Sequence, residues 1–250
     1  GDDWAYSKRV SNFLESGSFE SPDWGGALFF TQLLWGAAFC KIFGFSFSVL
    51  RVSELLALFF TLVIFYQIIL KVTASNHSSL IITLLFFLNP IITYQSNTFQ
   101  PDIPYTLLAI LSVYFFLKYT TNNGLRDYII GLSFASFATL LKQTGISIAL
   151  TFALCFFLIN KVTIRSVIVG IFPVILLISS VVLLMLNNVI DGGDNVQVQL
   201  FINSILNPDF ETAKKFGFYA INTSLSLGLF ISPIVLPAAI SFAKSRDFIR

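Results

Sequence analysis

The sequence predicts an all-α, polytopic membrane helix bundle preceded by juxtamembrane helices on the membrane surface. Three observations predict it. Of the 250 residues, 56% are hydrophobic and 11% charged, whereas a soluble chain carries ~25% charged residues. The apolar residues fall into runs at about 27–43, 52–70, 79–95, 104–119, 128–141, 146–160, 166–187 and 217–243, and in lipid a helix is how such a run satisfies its own backbone. The short links between runs carry Lys and Arg in a one-sided pattern.

The elements follow in chain order. Segment 5–16 is amphipathic: Ala5, Val10, Phe13 and Leu14 are apolar, while Ser7, Lys8, Arg9, Asn12 and Glu15 are polar. It reads as a surface helix ended by Gly17. The run 27–43 is near the lower limit for a span, carries Gln32 and ends at Lys41, so it is expected to lie along the surface without crossing. Residues 1–48 then form an outer cap and 49–250 the bundle of a single transmembrane domain. Runs 52–70, 166–187 and 217–243 easily reach the ~20 residues of a span. The pair 128–141 and 146–160 is short on each side and reads as two helices meeting at Lys142-Gln143-Thr144-Gly145, with the junction drawn into a cavity below the surface.

Charge sets the orientation. Lys71, the pair Lys118 and Arg126, the pair Lys161 and Arg165, and the group Lys244, Arg246 and Arg250 share one side if every run from 52 onward crosses. The positive-inside rule makes that side cytoplasmic. Asp2, Asp3, Asp102, Lys142 and the polar segment 188–216 then face outward. The chain opens on Gly1 and stops at Arg250 without a closing element, so it is expected to be a fragment lacking a first helix and a C-terminal part.

Composition excludes several classes. A net charge of +2 without a basic stripe gives no reason to expect nucleic acid. Cys40 and Cys155 lie within apolar runs and read as small core residues. His77, the sole histidine, sits in the polar link Ser75-Asn76-His77-Ser78-Ser79 and reads as a loop residue, so no metal site is predicted. Asp191-Gly192-Gly193-Asp194-Asn195 lacks the later Glu of a calcium loop and reads as a flexible outer loop, with room for a lid role.

Carboxylates at the mouths of hydrophobic spans are costly and therefore informative. Asp2 and Asp3 suit a helix cap as well as a chemical role. Asp102, ahead of Ile103-Pro104, suits a helix start. Lys142, between two short apolar helices, either snorkels to the surface or meets a lipid phosphate as a point charge. Arg51 and Glu54, three apart on a helix, are expected to pair. Trp4, Tyr6, Trp24 and Trp35 fit an interfacial aromatic belt.

The ordered motifs carry a resemblance. Asp2-Asp3-Trp4-Ala5-Tyr6 leads into Leu14-Glu15-Ser16-Gly17. Ile42-Phe43-Gly44-Phe45-Ser46 is followed by Leu50-Arg51-Val52. Asn89-Pro90, then Asp102-Ile103-Pro104, then Leu140-Leu141-Lys142 complete the series. Over roughly residues 1–160 the chain resembles membrane glycosyltransferases of the C-type (GT-C) fold, in the branch of protein O-mannosyltransferases (dolichyl-phosphate-mannose-protein mannosyltransferases) and lipid A aminoarabinose transferases. Where many relatives have a His-Pro-Pro or Lys-Pro turn, this chain has Ala27-Leu28-Phe29-Phe30-Thr31. The resemblance therefore carries no donor-phosphate contact onto that turn.

The resemblance implies an inverting transfer of a sugar from a polyprenyl-phosphate donor to a protein, lipid or glycan acceptor, at the extracytoplasmic face of the cell membrane. Asp2 aligns with the first acid of the family pair and is the expected base. Asp3 would orient the acceptor or share a metal, Asp102 would bind the acceptor or support the base, and Lys142 would hold the donor phosphate. Tyr6 is a substrate-binding candidate. No cofactor is required by the sequence, and a divalent metal is left open. The rival class is a transporter or flippase for a lipid-linked or anionic substrate; such a protein should carry polar groups and broken helices within its spans.

Overall fold

The computed structural model describes residues 2–17, 30–159 and 163–186. The chain divides into two compact units, Gly1–Gly193 and Asp194–Arg250, and every described residue belongs to the first. The expected span 217–243, the outer segment 188–216, the loop at Asp191–Asn195 and Trp24 lie outside the described residues.

All described secondary structure is helical, as the composition requires. Helix α1, Asp2–Ser16, ends at Gly17, whose φ of 69° is left-handed backbone that glycine adopts without cost. Helix α2, Phe30–Phe43, has 14 residues. At 1.5 Å per residue it reaches about 21 Å, short of the ~30 Å hydrocarbon core. Gly44, at φ 81°, turns the chain back. Helix α3, Phe47–Thr73, follows, started by Ser46, whose Oγ accepts from the Ser48 N–H.

The sequence reads 79–95 as one run; the structure breaks it. Helices α4, Asn76–Phe87, and α5, Pro90–Ser96, meet at an angle of 65°. Pro90 has no N–H to continue the ladder. Asn89 Oδ1 accepts from the Ile91 N–H at 2.9 Å, and Thr93 Oγ1 donates to the freed Phe87 carbonyl at 3.0 Å. The break is thus satisfied internally, as lipid demands. His77 corrects the loop reading: it is an exposed residue in the first turn of α4.

Helices α6, Asp102–Asn122, and α7, Leu125–Leu141, form a closely packed hairpin. Ser112 Oγ donates to the Gly131 carbonyl at 2.8 Å, and a Cβ at Gly131 would lie 2.9 Å from the Phe116 ring. A small residue is what allows this approach. A 3-10 turn, Gln143–Gly145, separates α7 from α8, Ile146–Ile159, as the sequence predicts. Helix α9, Ile164–Leu186, completes the described bundle.

Among the described residues, α3, α6 and the Ile164–Val182 part of α9 are long and apolar enough to cross a membrane. The bent α4–α5 pair makes a fourth if it counts as one span. Helix α8, at 14 residues, falls short, so its length does not support a separate crossing. An aromatic cluster of Phe116, Tyr119, Tyr128, Phe152 and Phe156 ties α6, α7 and α8 together. The Tyr128 hydroxyl extends it to the Val169 carbonyl of α9, at 3.0 Å. Cys40 is buried as expected, whereas Cys155 is exposed; its position on α8 turns it away from the core.

Candidate functional site

Four elements bring charged groups to one end of the bundle. Asp3, in the first turn of α1, uses both carboxylate oxygens. Its Oδ2 accepts from Arg51 Nη2 at 2.8 Å, and its Oδ1 accepts from the Phe99 backbone N–H, also at 2.8 Å. Phe99 lies in the segment between α5 and α6, three residues before Asp102. One side chain thereby pins the surface helix to the start of α3 and to the approach of α6.

This corrects the expected Arg51–Glu54 pair. The two share α3, but Arg51 has a side-chain exposure of 52%, whereas Glu54 is fully buried. Three residues along a helix is about 60° short of a full turn, and here that angle separates the outside of the helix from its packed face. Arg51 reaches Asp3, 48 residues away in sequence.

Asp102 is the first residue of α6, where the exposed N–H groups of the helix favour negative charge. It makes no capping bond of its own. It receives Lys142 Nζ on Oδ1 at 2.5 Å, and Lys142 also lies 5.9 Å from the Tyr105 ring centroid. Lys142 sits where α7 stops: its N–H still closes the last helical bond onto Ala138, and its extended backbone turns the side chain off the helix. The lysine is therefore neither snorkelling nor unpaired, because Asp102 holds it. Gly145 allows the turn below it, since a Cβ there would lie 2.5 Å from the Thr139 backbone nitrogen.

The remaining candidates divide. Asp2 opens α1 beside Asp3, and its side chain lies outside the described residues. Tyr6 is half-buried and packs against the cluster of Val10, Leu33, Ala37, Cys40, Leu50 and Phe99. Trp4 is 58% exposed beneath Lys8 and suits a surface belt. Trp35 does not: it is half-buried and its indole N–H donates to Ser53 Oγ at 3.1 Å. Among the described residues, no group of three or more His, Cys, Asp or Glu side chains is arranged to hold a metal ion.

Two residues near this end were named in the sequence reading without a site role. Gln32 on α2 and Glu54 on α3 are 2% and 0% exposed, and the side-chain oxygens of both and the Gln32 nitrogen have no hydrogen-bond partner. The available signal was polarity inside an apolar run, the pattern that marks function within a membrane.

At the opposite end, Lys118 pairs with Asp127 at 3.1 Å. A cavity of about 270 Å³ there is lined by Tyr119, Asn123, Thr163 and Arg165, among others. None of the predicted site residues borders it.

Comparison with known proteins places the chain. A family model described as dolichyl-phosphate-mannose-protein mannosyltransferase matches residues 32–186. An uncharacterised protein of Aquifex aeolicus (strain VF5) is 28% identical over 141 residues, covering 55% of this chain and 28% of that protein. The match thus spans less than a third of the relative's length. No solved structure matches the chain.

Proposed function

The chain belongs to the dolichyl-phosphate-mannose-protein mannosyltransferase family, and from that premise we propose that it transfers a sugar from a polyprenyl phosphate to an acceptor hydroxyl with inversion. The acceptor is a protein, lipid or glycan at the extracytoplasmic end of the bundle. One observation carries the reading: the pairs Asp3–Arg51 and Asp102–Lys142 gather at the same end, joined through the Phe99 segment. Lys118 and Asp127 lie at the other end of the α6–α7 hairpin, and Lys71, over the Tyr114 ring, and Arg165, beside Tyr119 and Asn123, lie with them. The positive-inside rule therefore favours an outward-facing site.

The chemistry assigned to this end needs a base and a cation. Asp2 takes the hydroxyl proton while the acceptor oxygen attacks the anomeric carbon opposite the phosphate. The bond from that carbon to the phosphate oxygen breaks, and its electron pair leaves with the phosphate. Lys142 has three N–H donors; one serves Asp102, and the others face the charge growing on the leaving oxygen. Asp3 keeps Asp2 in position through Arg51 and Phe99. Asp102 holds the lysine and offers its second oxygen to the acceptor, and Tyr6 contributes a ring to the sugar.

Radiolabelled polyprenyl-phosphate hexoses supplied to membranes containing the full-length protein test the reading. Asp2→Asn should bind donor normally and lose about 10²–10⁴-fold in transfer, the range for a general base. Wild-type transfer by Asp2→Asn would remove Asp2 from the role of base.

A second reading has its own observation. The 65° break between α4 and α5 and the buried carboxyl of Glu54 are features a transporter places around its substrate. Family membership weighs against it. Label crossing the bilayer without transfer to any acceptor would support the transporter and sink the transferase.

A further inference from the structure

We infer that Gln32 and Glu54 form a recognition site for the hydroxyl groups of the transferred sugar. The inference rests on the transferase reading above and gives it a substrate class: a neutral, hydroxyl-bearing sugar read from the seam between α2 and α3.

Helical register brings the two side chains to one level. A Cβ at Gly36 would lie 3.0 Å from Leu50 Cδ2, and Trp35 bonds Ser53, so α2 and α3 run back past each other. One turn back from Gly36 is Gln32, and one turn on from Leu50 is Glu54. Both face the packed interior, at 2% and 0% exposure.

Their four polar atoms have no hydrogen-bond partner. Thr83 Oγ1 is the other such buried side-chain atom among the described residues, and it belongs to α4. Buried polar atoms are paired in the great majority of cases, and each exception calls for an explanation. Here two exceptions stand at the same level of adjacent helices, beside the charged end of the bundle.

The chemistry of the pair selects its occupant. A carboxamide both donates and accepts, and a carboxyl accepts through two oxygens; together they match the alternating donor and acceptor needs of neighbouring hydroxyls. A phosphate is disfavoured. Neither Gln32 nor Glu54 brings a cation to a phosphate, whereas Lys142, which serves Asp102 with one N–H, keeps further donors for one. The phosphate belongs beside Lys142 and the sugar ring beside Gln32 and Glu54. The atoms are closed off in this structure, so the sugar reaches them as α2 parts from α3. Apart from the Trp35–Ser53 bond, apolar packing dominates that seam, and the C–H face of a sugar ring can replace apolar contact.

The test compares polyprenyl-phosphate hexose, its monodeoxy analogues and bare polyprenyl phosphate with the full-length protein in lipid nanodiscs. Binding is read by thermal shift, and transfer by kcat and KM. Wild type should prefer the hexose over at least one deoxy analogue by about a hundredfold or more, as sites built around a hydroxyl do. Gln32→Met and Glu54→Met should reduce that preference to a few-fold, chiefly through KM, while leaving the affinity for bare polyprenyl phosphate unchanged. A purely structural role predicts Met variants with the wild-type preference, because removing an unpaired polar group relieves a packing cost without touching the sugar. That result would overturn the inference. Should a Met variant fail to fold, Gln32→Leu or Glu54→Gln carries the same comparison, the latter expected to keep an intermediate preference. If wild type binds the hexose lipid better than bare lipid but transfers nothing, the sugar site stands and the transferase reading falls. If it transfers sugar and both Met variants discriminate normally, the reverse holds.

Discussion

Replacing Asp3 by alanine removes two contacts of unequal worth, and the structure says which matters. The Asp3 carboxylate is 15% exposed, but its partner Arg51 is 52% exposed. An ion pair with so wet a partner contributes about 0–1 kcal/mol. The second contact, from the Phe99 N–H at 2.8 Å, is charge-assisted and serves a residue that is 1% exposed. Such bonds contribute about 1.5–3 kcal/mol, and an amide left unpaired in a buried place costs a similar amount. Asp3→Ala should therefore cost about 2–3 kcal/mol, Arg51→Ala less than about 1 kcal/mol. Asp3→Asn should fall between them, since its amide oxygen still accepts from Phe99. Hydrogen exchange at the Phe99 amide, measured in nanodiscs, separates the contributions. Asp3→Ala should speed exchange there by roughly ten- to a hundredfold through local opening, and Arg51→Ala only a few-fold. Equal effects from Asp3→Ala and Arg51→Ala on both stability and Phe99 exchange would refute the argument, and the ion pair would then be the anchor.

Three further outcomes follow from the same geometry. Lys142→Ala should weaken donor binding about ten- to a hundredfold, the worth of a charge-assisted contact, with Lys142→Arg retaining part of it; unchanged binding of labelled donor would return the lysine to a structural partner of Asp102. Gly145→Ala puts a methyl 2.5 Å from the Thr139 backbone, so a loss of about 1–3 kcal/mol in thermal stability is expected, together with weaker donor binding; a variant with wild-type stability would show that the turn relaxes freely. Single cysteines at the exposed positions Glu15 and Thr144 should react with an impermeant reagent from outside, and one at the exposed Arg126 only from inside, in a chain whose own cysteines are replaced. Labelling of Glu15 and Thr144 from opposite sides would break the shared site.

The helices were legible because length and breaker residues act locally. Gly17 stops α1 and Lys142 to Gly145 divide the short apolar pair, both readable within a few residues, whereas the Ser46 start of α3 lies ahead of the apolar run at 52–70 that marked the helix. The kink at Asn89-Pro90 was less so, because an apolar run registers the absence of charge and passes over a missing N–H. At the site, residue identities were legible and their partners were not. Asp102 and Lys142 stood out as charges at the ends of spans, yet nothing local joins residues 40 apart. Arg51 and Glu54 show the opposite failure, a plausible local pair undone by burial on one side of a helix. Gln32 and Glu54 were noted without a site role for a related reason: only packing reveals that their polar atoms have nothing to meet.

The tether from Asp3 to Phe99 also has a consequence for how the protein is made. Its ends are 96 residues apart, Thr31 meets the Phe137 carbonyl across 106, and Lys142 follows Asp102 by 40. Chains emerge from the N-terminus at a limited rate, so α1 is synthesised long before anything it will grip. Its polar surface lets it wait in water, where an unpaired carboxylate costs little. The charged end gains its last member only when Lys142 arrives, after α3 to α7 have been delivered to the membrane. Completion of the site thus reports on completion of the bundle, and a chain inserted in the wrong register reaches the end of synthesis without one.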